Sequence, residues 1–104
     1  MVEPVLEGKR TATTYLYEDD EKYKENDISI LTDINGNDVC LIQTKKIIIT
    51  TFKNITWDLA VLEGENNSLD DWRKEHYNFF KKINPDFNKD TKVVFEIFEV
   101  IEKL

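Results

Sequence analysis

The residues best able to do chemistry fall in two short clusters. Gly8-Lys9-Arg10-Thr11-Ala12-Thr13-Thr14 sets two cations and three hydroxyls in one turn-like stretch, and such a set grips an anionic or carbonyl oxygen through charge-assisted hydrogen bonds. Glu63-Gly64-Glu65-Asn66 carries two carboxylates, and one that turns inward beside a ligand acquires a raised pKa by losing water. Both have a plainer account. Lys9 and Arg10 can serve the dipole of a preceding helical turn, the threonines favour extended structure, and most loop acids are solvated. On residue chemistry alone the plainer account is preferred. The single histidine, His76, titrates near neutrality but sits within an apolar stripe, which makes it a partly buried structural residue. The single cysteine, Cys40, lies between Val39 and Leu41 and reads as a small buried hydrophobe. One His and one Cys cannot build a zinc site or a nucleophile–base pair, and three scattered glycines make no phosphate loop. No metal and no cofactor are expected.

Several elements must position these clusters. Residues 4–7 read as the end of a helix stopped by Gly8. Thr11 to Tyr17 reads as a strand, and the charged stretch Glu18 to Asn26 as a surface loop. Asp27 to Asp33 and Asp38 to Phe52 are strand-like, and Asn35-Gly36 between them predicts a tight type I′ hairpin. The Asp33, Asn35, Asn37 spacing only superficially resembles a calcium loop, since no closing glutamate follows. Thr56 can cap a short helix through Leu62, and Ser68 with Asp71 forms a capping box for a longer one. In that longer helix Leu69, Trp72, His76, Phe79, Phe80 and Ile83 recur at helical spacing, with Asp70, Arg73, Lys74 and Lys81 facing away. Asn84-Pro85 ends it, and the closing VVFEIFEVIE is apolar on both alternating faces, as for a strand covered on both sides.

Composition bounds the rest. At 104 residues, 40% apolar and 34% charged, the chain holds one hydrophobic core and reads as a single α+β domain. No signal-peptide pattern or membrane-length apolar run occurs, so a cytoplasmic protein without membrane contact is expected. Asn54-Ile55-Thr56 and Asn66-Asn67-Ser68 are then helix entries rather than glycosylation sites. The net charge of −7 repels polyanions as a whole, so any RNA contact must use a local basic patch. Lys45, Lys46 and Lys53 offer cations near the sheet, and Tyr15, Tyr17, Phe52 and Trp57 offer faces for base stacking.

Taken in order, EGKRTATT at 7–14, the NGNDVCLIQTKKIIITTF hairpin, EGENNSLDDWRKEHYNFF at 63–80 and the closing VVFEIFEVI resemble the ASCH domain family over nearly the whole chain. The resemblance implies a PUA-like fold, a small β-barrel or strongly curved mixed sheet with two helices packed on it. It also implies a cleft lined by the 8–14 and 63–66 segments and a role in binding RNA or modified nucleosides. Residues 1–104 form one such domain, with the helix usual before Gly8 largely missing and Asn26 where the family has glycine.

Some family members are similar to amidohydrolases that remove acetyl from N4-acetylcytidine with a lysine, a threonine three residues on and a glutamate. The matching positions are Arg10, Thr13 and Glu65. A guanidinium stays protonated and cannot take the threonine's proton, and Lys9 is displaced by one residue and points to the opposite face of an extended segment. The leading expectation is therefore a binding domain in which Lys9, Arg10, Thr11, Thr13, Glu63 and Glu65 hold RNA or a nucleoside. Two alternatives stand beside it. One is an amidohydrolase with Thr13 attacking, Glu65 assisting proton transfer and Arg10 stabilising the oxyanion. The other is a structural domain with a vestigial cleft that self-associates, as a homodimer, or takes a protein partner.

Overall fold

Stretches rich in β-branched and aromatic residues become four strands, and the capped amphipathic stretch becomes the main helix. The structure is a computed structural model, and residues 5–18 and 24–104 are described. The strands are β1 (Ala12–Leu16), β2 (Ile28–Thr32), β3 (Asp38–Thr51) and β4 (Lys92–Lys103). They form one sheet in the order β1-β4-β3-β2, all three pairings being antiparallel. The sheet curls into a half-barrel. Its long central pair breaks register at Leu41/Ile42 and Thr44/Lys46, and such bulges bend the strand that carries them.

Between β3 and β4 lie a 3-10 turn (Phe52–Asn54), the short helix α1 (Trp57–Ala60), a second 3-10 turn (Val61–Glu63) and the long helix α2 (Leu69–Ile83). Ser68 caps α2 by accepting from the Asp71 amide, as expected. Thr56 occupies the cap position of α1 but makes no side-chain cap bond, and that helix passes into 3-10 geometry after Ala60. The core joins both layers: Trp72 and Phe80 of α2 meet Phe52, Ile55, Phe87, Val93 and Phe95, with Phe52 stacked on Trp72 at 5.4 Å between centroids.

Four expectations change in detail. The β2–β3 hairpin forms, but through a three-residue loop, because only Gly36 and not Asn35 takes positive φ. The Gly36 amide donates to the Asp33 carbonyl and the Asp33 amide to that of Asn37, a type I turn closed by a left-handed glycine. Asp33 pins it by accepting from the amides of Asn35 and Asn37. Phe79 and Ile83, expected in the core stripe, are 57% and 58% exposed. The buried face is instead centred on Trp72, His76, Tyr77 and Phe80, and Arg73 reaches in to donate to the Lys53 and Ile55 carbonyls. β4 is covered on both faces only at its start, where Val93, Val94 and Phe95 are all fully buried, whereas Ile101 near its end is exposed.

At the N-terminal side Gly8 takes φ +77 and its amide bonds to the Val5 carbonyl, so the glycine stop occurs, although Pro4 of the expected helix end lies outside the described residues. So do residues 19–23 of the expected 18–26 loop. Asn26 adopts φ +70, the conformation a glycine would supply and one that asparagine tolerates better than most residues.

Candidate functional site

Two backbone segments that are about fifty residues apart in sequence lie in contact at the mouth of the half-barrel. The Thr11 amide donates to the Leu62 carbonyl at 2.8 Å, and the Thr11 hydroxyl adds a second bond to the same oxygen at 3.3 Å. Gly64 sits in the left-handed region at φ +70, and a Cβ there would collide with the Lys9 carbonyl. Only glycine lets 8–11 and 62–65 approach this closely, and that approach sets Arg10 opposite Glu63 and Glu65.

Arg10 is buried. Its NH1 pairs with Glu65 Oε1, while NH2 donates to Thr13 Oγ1 at 3.2 Å and to Glu63 Oε1 at 3.4 Å. Its Nε is buried without a partner. Glu63 is 1% exposed. Its Oε2 accepts from the Trp72 indole at 2.5 Å and the Thr14 hydroxyl at 2.9 Å, and its Oε1 faces His76 Nε2 at 3.4 Å. The other ring nitrogen, Nδ1, stands 2.8 Å from the Trp72 carbonyl, and the ring stacks on Trp72 at 4.3 Å.

A carbonyl only accepts, so His76 Nδ1 carries a proton, and the carboxylate at Nε2 calls for a second. The imidazolium form satisfies both. Burial pulls the His76 pKa down, but the hydrogen bond and charge of Glu63, the Trp72 carbonyl and the charge of Glu75 outweigh it and raise the value above its ordinary 6.5. For Glu63, burial pushes upward and is outweighed by the His76 hydrogen bond and charge and by the Trp72 and Thr14 bonds. The inward-turned carboxylate therefore has a lowered pKa, where the sequence predicted a raised one. The expected desolvation is present, but the cations and donors buried with the group overcome it.

Beside this network opens a cavity of 380 Å³ lined by Arg10, Thr13, Thr14, Glu63 and Glu65, and by Glu75, His76, Phe79 and Phe80 of α2. The volume is within the range of roughly 300–1,000 Å³ usual for small-molecule sites. Arg10, Thr13, Glu63 and Glu65 thus come together as expected. Lys9 and Thr11 do not join them: Lys9 is exposed and paired with Glu7 at 3.1 Å, and Thr11 is spent on the Leu62 carbonyl. Thr14 belonged to the expected 8–14 cluster without a role of its own, and sequence reasoning missed His76 and Phe79 as site residues. The signal was available for His76, because a histidine four residues after Trp72 shares its helix face. Phe52 is a core ring, Trp57 packs against the core and Tyr15 bonds to Glu96, so the exposed ring at the cleft is Phe79. Among the described residues no three His, Cys, Asp or Glu side chains converge to hold a metal ion, and no helix is long and apolar enough to cross a membrane.

A model of the ASCH domain family matches residues 1–102. The fold is similar to the crystal structure of the protein EF3133 from Enterococcus faecalis V583, with TM-score 0.86 and 26% identity over 97% of this chain and 66% of that one. It is similar also to that of an ASCH domain from Lactobacillus crispatus JV V101, with TM-score 0.83 and 24% identity over 96% of this chain and 69% of that one. A third similar structure, of the hypothetical protein PH0355, has TM-score 0.70 and 21% identity over 96% of this chain and 90% of that one. The chain spans about two thirds of the length of the first two. No curated protein matches. The half-barrel is accordingly of the ASCH and PUA-like kind.

Proposed function

Because the chain belongs to the ASCH domain family, we propose that its cleft binds a nucleoside, free or within RNA, in the cytoplasm, and does so without hydrolysing it. The observation that carries this reading is the bonding of Thr13. Its Oγ1 accepts from Arg10 NH2, and among the described residues it has no other hydrogen bond. A hydrolase needs a proton acceptor at that hydroxyl, whereas a guanidinium only donates. With one lone pair engaged by Arg10 and no acceptor for its proton among the described residues, Thr13 turns that proton toward the ligand.

The polar groups then suit a cytosine-like edge. Glu65 binds Arg10 through Oε1 and its side chain is 39% exposed, so Oε2 accepts from an exocyclic amine. Thr13 donates to the adjacent ring nitrogen or carbonyl, and Phe79 supplies a stacking face, worth about 1–3 kcal/mol per base. Arg10 and protonated His76 against Glu63, Glu65 and Glu75 leave the lining one charge negative, which favours a neutral base over a phosphate inside the cleft.

Calorimetric titration with cytidine and N4-acetylcytidine, with acetate assayed in the same samples, tests the reading. Saturable binding without acetate release is expected, with at least a tenfold loss in Glu65→Ala. Multiple turnovers by the wild-type protein would establish the amidohydrolase alternative instead, and no binding of either nucleoside would end the cleft reading.

A further inference from the structure

Although the molecule carries a net charge of −7, four cations, Lys53, Arg73, Lys74 and Lys89, surround a second cavity of 380 Å³ on the other flank of α2. The rings of Phe52 and Tyr77 also line it. Within this group Lys53 pairs with Asp90 at 2.6 Å. Arg73 spends one nitrogen on the Lys53 and Ile55 carbonyls, and its Nε is buried without a partner. One carboxylate against four cations leaves a local excess of positive charge, and Lys74 and Lys89 line the pocket beyond the cations engaged in these bonds.

The position of this pocket matters as much as its charge. A shallow depression over the exposed ridge of α2 joins it to the nucleoside cleft: Lys74 and Asn78 line both the pocket and the depression, and Glu65 and Glu75 line both the depression and the cleft. Amides of Asn67 and Asn78 line the middle of the track, where Asp71 and Glu75 disfavour a phosphate and these amides can meet base edges, while the Asn66 amide is spent on Glu75 at 3.0 Å. We infer that the Lys53–Arg73–Lys74–Lys89 pocket binds a backbone phosphate of a single RNA strand whose base occupies the Arg10–Glu65 cleft. The inference rests on the nucleoside reading of that cleft and narrows its ligand to RNA. Since the two sites flank a helix about 10–12 Å across, a mononucleotide does not span them and a short oligonucleotide does.

The test compares cytidine with a cytidine pentaribonucleotide, measuring Kd by calorimetry at several salt concentrations. The variants are Lys74→Glu/Lys89→Glu and a control of equal net charge, Lys46→Glu/Lys103→Glu. The pentanucleotide is expected to bind at least tenfold tighter than cytidine at low salt, with log K falling by roughly 0.7 per log salt for each phosphate contact. The pocket double variant is expected to lose that gain and flatten the salt dependence while keeping its cytidine affinity, and the control is expected to keep most of both. Equal loss in the two double variants would reduce the effect to overall charge and overturn the proposal. So would a pentanucleotide that binds no tighter than cytidine, or lysine-dependent binding to phosphatidylserine vesicles without binding to RNA. Absence of cytidine binding together with lysine-dependent pentanucleotide binding would remove the cleft reading and leave the phosphate pocket.

Discussion

His76 is the only histidine in the chain, so its titration can be followed without overlap, and its two nitrogens face a carbonyl and a carboxylate. In ¹⁵N-detected spectra its pKa is expected above 6.5, and in Glu63→Gln it should fall, since the charge that holds the imidazolium is gone. An unchanged value in that variant would mean that Glu63 is not the partner. The same pair predicts a stability profile. Glu63, with its pKa lowered, stabilises the fold fully above its unfolded value near 4.5, and this contribution is lost as pH falls through the lower folded value. His76, with its pKa raised, stabilises fully below about 6.5, and this contribution is lost as pH rises through the higher folded value. Stability from the cluster is therefore greatest between these limits, and His76→Gln should remove the alkaline decline in urea midpoints. Glu63→Ala, which leaves Arg10 buried beside a lost partner, is expected to cost about 3–5 kcal/mol in urea unfolding. At this scale the sequence told which carboxylates and which arginine to consider. It did not tell that Glu63 would meet the Trp72 indole, because that bond depends on how α2 is rotated against the half-barrel.

Among the elements, the approach of 8–11 to 62–65 is what makes a site from two loops, and Gly64 permits it. Gly36 and Gly64 have similar positive φ, but a Cβ on Gly36 meets open space whereas one on Gly64 meets the Lys9 backbone. Gly36→Ala is expected to cost about 1–2 kcal/mol for the left-handed conformation alone. Gly64→Ala should cost clearly more and also weaken cytidine binding, because Arg10 must move away from Glu65. Thermal unfolding together with cytidine titration separates the two, and equal losses of stability would refute the role given to the close approach. Ser68→Ala, which removes a satisfied cap at the start of α2, is expected to lower stability by about 1 kcal/mol. The strands, the capped helix and the hairpin were legible from period and turn chemistry. The rotation of α2 was not, since Phe79 and Ile83 fit an apolar stripe by type, and their exposure follows from the half-barrel leaving one flank of the helix open.

For the whole molecule, a half-barrel covered by α2 on one face carries a cleft of near-balanced charge, a basic pocket across the helix and an otherwise acidic surface. Cytidine binding should thus depend little on salt, whereas RNA binding should fall with it by roughly 0.7 in log K per log salt for the phosphate in the basic pocket. The strands, the helices and their order along the chain were legible, but the all-antiparallel pairing was not, since the resemblance implied only a small barrel or a curved mixed sheet; nor was the basic pocket, because Lys53, Arg73, Lys74 and Lys89 come from three separated stretches that only the fold assembles. The central claim is that the Arg10–Glu65 cleft is where a nucleoside binds, and titration of cytidine into ¹⁵N-labelled protein tests it most directly. The account predicts saturable shifts at the amides of Thr13, Thr14 and Glu65 and at the His76 ring, with none in the β2–β3 hairpin. Saturable shifts confined to other surfaces, or no shifts at the cleft at millimolar cytidine, would contradict it.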